Sequence, residues 1–208
     1  MRLATLALVL LAQDVSFEEK FAGKLSDGWT WVREDAAGWK VDGGALRIKA
    51  QPGTIWYKKN DAKNLLIRKL PSAGTDAAPI AIEVTVDNAP VVNAEQCGLL
   101  LYVDDSNYVK LIRECNKGKP GIVLARESKG IPESIPPREE PTGPVHLKLV
   151  WSGGRVAGSY KAAGDWVALG DYDAPDGDVK VALAAHGAPA DADRWASFTS
   201  FKISKAAK

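Results

Sequence analysis

Tyr102, Tyr108 and Lys110 fall on one face of what reads as a hairpin, residues 98–103 and 108–112 around the turn Asp104-Asp105-Ser106-Asn107. The opposite face carries Val103, Val109 and Leu111, so the tyrosine face is expected to be exposed and concave. Trp56 and Glu114 extend this set, because an aromatic ring stacks on the apolar face of a sugar while polar edges bond its hydroxyls. Aromatic side chains equally fill sandwich cores. His186 follows the run 181–185 where a strand gives way to Gly187, a place from which it can line the rim of a site.

A second group is acidic. Asp171, Asp173, Asp176 and Asp178 put four carboxylates within eight residues, and calcium takes six to eight oxygens from loops of this kind. The spacing is not that of an EF-hand, and Asp is also an ordinary turn former. Calcium is the one cofactor the sequence suggests. Cys97 and Cys115 flank the hairpin; a loop over 104–108 pairs Leu101 with Leu111 and Cys97 with Cys115, close enough for a disulfide. Two buried thiols are the alternative. Phosphate cradles, zinc-protease helices and serine elbows have no match in the chain. Glu83, Glu95, Glu114 and Glu127 are each isolated from a second strand acid at the spacing glycosidases use. No catalytic residue is therefore named.

These residues must be held by strands. Turn signals every eight to twelve residues separate candidate strands at 17–21, 29–33, 39–41, 45–49, 54–58, 65–70, 80–87, 96–103, 108–113, 122–126, 145–151, 155–161, 166–169, 179–185 and 195–203, and no helical period competes with them. The fold class is all-β, a two-sheet antiparallel sandwich. Residues 130–144 hold five prolines and read as a long loop.

The chain has 208 residues with 27 Lys+Arg against 26 Asp+Glu, a net charge of +1. That balance argues against a nucleic-acid partner, which needs a basic face. Residues 1–13 have the basic start and short apolar run of a signal peptide, too short for the roughly 20 residues that span a bilayer. The expected organisation is a leader at 1–13 and one domain at 14–208, secreted or periplasmic, without membrane insertion.

Trp29-Thr30-Trp31, then Gly38-Trp39 through Ile48, the stretch 96–111, Gly158-Ser159-Tyr160 with Asp165-Trp166, and Ala196 through Ile203 occur in this order. In that order they resemble the concanavalin A-like domain of the β-xylosidase C-terminal type and the related "regulation of enolase" proteins of bacteria. A more distant likeness is to laminin-G-like domains linked to 3-keto-disaccharide hydrolysis. The resemblance implies a jelly roll with a sheet that faces carbohydrate. The resulting expectation is an exported, non-catalytic protein that binds a glycan or polysaccharide. A hydrolase or lyase with acids from separate strands, or an envelope protein-interaction domain, are the alternatives.

Overall fold

The computed structural model describes residues 15–57, 59–139 and 142–206; the expected leader lies outside them. The strands are β1 (Val15–Glu19), β2 (Trp29–Val32), β3 (Trp39–Asp42), β4 (Ala45–Lys49), β5 (Leu65–Lys69), β6 (Ile80–Asp87), β7 (Gln96–Asp104) and β8 (Asn107–Asn116). They continue as β9 (Lys119–Ser128), β10 (Ile131–Ser134), β11 (Arg138–Glu139), β12 (Val145–Ser152), β13 (Arg155–Lys161), β14 (Val167–Asp173), β15 (Lys180–His186) and β16 (Trp195–Lys205). One antiparallel sheet runs β14-β13-β12-β6-β16-β4-β3 with β1 on β16; the other runs β10-β9-β8-β7-β15-β5-β2 with β11 on β9. The sandwich expected from turn spacing is the fold observed.

Alternation decides which residues fill the space between the sheets. Ile82, Val84 and Val86 of β6 meet Leu99, Leu101, Leu111 and Leu124 of the second sheet in one buried cluster. Each such side chain contributes roughly 1.5–3 kcal/mol by leaving water. Glu83 and Thr85 point the other way. In β7 the alternation fails, because Leu100 and Tyr102 are buried as well as Leu99 and Leu101. The outer face of the second sheet is itself covered, and a strand buried on both faces reads as a continuous apolar run. At the β3–β4 hairpin, Gly43 (φ 59°) and Gly44 (φ 76°) supply the two left-handed residues that a tight two-residue turn requires.

Three local expectations are corrected. The β7–β8 turn is tighter than a 104–108 loop, because Asp104 Oδ1 accepts from Ser106 N at 2.8 Å and closes a short Asx turn. Leu101 therefore faces Val109 and Cys97 faces Arg113. Cys115 N instead donates to Glu95 O. The thiols are diagonal neighbours on the sheet, which stand about 7–8 Å apart, beyond bridging range. Both are buried and no disulfide joins them. Ellman's reagent is expected to find two thiols in unfolded, unreduced protein and almost none in native protein; zero in the unfolded protein would restore the disulfide.

The Pro-rich stretch is also more regular than a loop, since β10 and β11 both pair with β9. Proline is tolerated there because the edge leaves some amides unpaired. The third correction concerns residues 54–58. Residues 54–57 form no strand, because the chain crosses the outer face of the second sheet at this point rather than joining an edge, and Lys58 lies outside the described residues.

Candidate functional site

The segment from Gln51 to Asn64, apart from Lys58, is what covers that outer face. Ile55 and Ala62 are buried against Leu100, Tyr102, Tyr108, Ala182 and Ala184. Backbone bonds fasten the segment at several points: Gly187 N to Gln51 O at 2.8 Å, Arg33 Nε to Ala62 O at 2.6 Å, and Tyr57 N to Glu127 Oε2 at 2.8 Å. Tyr57 adopts φ 68°, strained for an aromatic residue, and the buried Glu127 carboxylate holds it there. Oε1 of Glu127 has no partner.

This cover decides the fate of the sequence candidates. All four strand residues of the set lie on one face, as alternation required, because the register stacks Tyr102 on Tyr108 and Gln96 on Glu114. Exposure is another matter. Tyr108 is fully buried, its hydroxyl 2.9 Å from Ile55 O and 3.0 Å from Glu127 Oε2. Tyr102 is also buried and donates to Asp105 Oδ1 at 2.9 Å. Burial, then the neighbouring carboxylates, push both phenols well above their ordinary range. As stacking platforms Tyr102 and Tyr108 are corrected: they are the floor on which the segment rests.

Beyond the cover, toward the Glu114 end of β8, the face opens into a cleft of about 280 Å³. Trp56, Gln96, Lys110, Glu114, Val123 and Ser134 are among its lining residues. Trp56 packs on Ile112, Val123 and Ala125, and Lys110 Nζ sits 4.3 Å from its ring centre. Lys110 is only 3% exposed and donates to Gln96 Oε1 at 2.8 Å. Gln96 is fixed in turn through Nε2 to Ala94 O at 3.2 Å. Burial pulls the Lys110 amine down to about 8, against the pull of Glu114 and Glu127 upward. Burial also raises the Glu114 carboxyl, with Lys110 opposing it.

His186 lies opposite Gln96 but does not reach the cleft. It is buried under Gln51, bonds the backbone of Gly53, and leaves Nδ1 without a partner. Burial first and Lys110 second push it down to about 3, so it is neutral. His146 sits on the outer face of the other sheet against Thr85 Oγ1 at 2.8 Å.

The acidic group does not form a calcium loop. Asp171 and Asp173 share one face of β14 by alternation and both pair with Arg155, opposite Asp173 in the register. Arg126 takes the other oxygen of Asp173 at 2.9 Å, and Asp178 pairs with Lys180 at 3.0 Å. Asp176 lines a separate cleft with Asp104 and Arg126. Among the described residues no three His, Cys, Asp or Glu side chains gather to hold a metal. The acidic spacing that suggested calcium carries no sign of the arginines brought in from β13 and β9.

Sequence reasoning missed Gln96 and weighed Glu127 only as an isolated strand acid. Both share the outward face with Lys110, but only the strand register brings them to it. Among the described residues a single carboxylate, Glu114, lines the cleft. Glu127 lies opposite Tyr108, six residues along β8 from Glu114, roughly 20 Å of strand. Two-carboxylate sugar hydrolysis works across about 5–10 Å.

The beta xylosidase C-terminal concanavalin A-like domain family matches residues 17–204. The chain belongs to that family. The GH43 protein BlXynB of Bacillus licheniformis shares its fold with a TM-score of 0.80 at 21% identity, over 91% of this chain and 39% of that one. Xylan beta-1,4-xylosidase from Bacillus halodurans C-125 gives 0.76 at 17%, over 90% and 38%. A protein from Saccharomyces cerevisiae described as functionally unknown gives 0.69 at 10%, over 87% and 98%. No curated protein matches significantly in sequence. This concanavalin A-like domain thus spans about two fifths of the two Bacillus proteins, and at such identities the likeness carries the fold alone. Among the described residues no helix is long and apolar enough to cross a membrane.

Proposed function

We propose that this concanavalin A-like domain is a non-catalytic carbohydrate-binding module, exported through the leader at residues 1–13. One observation carries the reading: Trp56 presents an aromatic surface in a cleft whose polar groups, Lys110, Gln96 and Glu114, come from the strand face below it. Apolar lining with a few convergent polar groups is the usual make-up of a small-ligand site. A ring on Trp56 with hydroxyls toward those groups is the contact such a site offers. Glu114, the one carboxylate among the described lining residues, supports binding rather than hydrolysis, and xylan as substrate of one structural relative makes xylo-oligosaccharides sensible first probes.

The test is a glycan array followed by calorimetry on the selected sugar and a reducing-sugar assay on the same sample. Selective saturable binding without release of sugar is expected. A blank across the array with folded protein, or steady turnover of a glycoside, would overturn the reading.

A further inference from the structure

The cleft holds a cation that no carboxylate of the described residues contacts. Lys110 is 3% exposed, yet its ammonium donates to one neutral oxygen, Gln96 Oε1. An ammonium carries three donors. No carboxylate among the described residues lies within 4.0 Å of it. A buried charge is costly unless paired, and the Trp56 face at 4.3 Å compensates it only in part. The amine is not drifting, because Gln96 is itself tied to Ala94 O. A cation held at a fixed place on a cleft wall, with Glu114 and Glu127 acting on it only from beyond ion-pair distance, is the complement of a ligand anion.

We propose that the cleft takes a sugar residue bearing a carboxylate, a uronate, with the carboxylate against Lys110 Nζ and the ring on Trp56. The proposal rests on the glycan reading above and names its ligand class. At about 280 Å³ the cleft lies at the small end of ligand pockets, which suits one sugar unit of a chain that continues past the exposed Asn116 and Ser134.

The charged neighbours set the pH response. Glu114 on β8 lines the cleft and Glu127 on β9 acts at longer range; β7 contributes uncharged Gln96, and His186 on β15 is neutral above about 3. Lys110 carries its charge below about 8. Glu114, raised by burial, repels an anion less as pH falls. The charge gained by Lys110 strengthens uronate binding from pH 9 down to pH 6.

Calorimetry of the full chain with tri-galacturonate and with xylotriose at pH 6 and low salt tests this. Tri-galacturonate is expected to bind at least tenfold more tightly, and the ratio to shrink to within about threefold at pH 9 and in Lys110→Met. Equal affinities in the wild type overturn the uronate assignment and leave glycan binding standing. Failure of both sugars to bind overturns both. A preference that survives both pH 9 and Lys110→Met places the anion elsewhere and overturns the assignment. Should Lys110→Met fail to fold, the wild-type pH series decides alone.

Discussion

Acidification from pH 6.5 to 3 is expected to cost the fold up to about 5 kcal/mol through one residue, His186. The imidazole is 3% exposed, and burial with Lys110 nearby holds it down at about 3, the Gly53 backbone and Asp61 opposing only in part. An unfolded chain protonates this histidine below its ordinary 6.5. The folded chain refuses the proton until about 3. In that window the unfolded state binds more protons, so stability falls as pH falls. Lys110 has the same sign in another window: with its folded value near 8 against 10.5 unfolded, stability rises by about 3 kcal/mol between those pH values. Urea unfolding at pH 7, 6, 5 and 4 checks the first effect. Carboxylates also titrate in that range, so the informative quantity is the difference between wild type and His186→Gln. The variant's profile should be markedly flatter. Parallel profiles would show that the histidine is solvated or charged in the folded state.

Trp56→Ala is expected to weaken glycan binding by about 2 kcal/mol, roughly thirtyfold. The indole supplies both the stacking surface and the face against which Lys110 is held. Removing it loses ring contact worth about 0.5–1.5 kcal/mol beyond its area and frees the ammonium to move. Trp56→Phe keeps a flat face and should recover most of the affinity. Some stability is lost as well, since Trp56 packs on Ile112, Val123 and Ala125; binding is therefore compared at a temperature where thermal unfolding shows every variant folded. An alanine variant within threefold of wild type would remove Trp56 from the site.

Period-two alternation placed Tyr102, Tyr108 and Lys110 on one face from sequence alone, because the strand has no freedom in which side a residue takes. The same rule placed His186 and Gln96 on that face once β15 and β7 were paired. Exposure was not legible. Residues 51–57 and 59–64 lie on the tyrosines through contacts whose partners are far apart in sequence, such as Tyr108 with Ile55. One signal was present in the run Leu99-Leu100-Leu101-Tyr102: a strand apolar at successive positions has cover on both faces. The hairpin register turned on a single Asx turn at Asp104, which moved Cys97 from Cys115 to Arg113. Residues 171–178 carried the charge of a calcium loop, but Arg155 and Arg126 neutralise it across strands.

What the sequence determined by itself is the all-β class, the facing of each strand residue and, through its ordered motifs, the family. These are local quantities, set by backbone stereochemistry and by which residues repeat at period two. Which residues on the polar face meet a ligand was decided only by the tertiary structure. A loop that crosses the face buries the tyrosines, leaves Trp56 at the opening and encloses Lys110 with no carboxylate of the described residues within 4.0 Å. That outcome depends on long-range packing, which no spacing along the chain encodes.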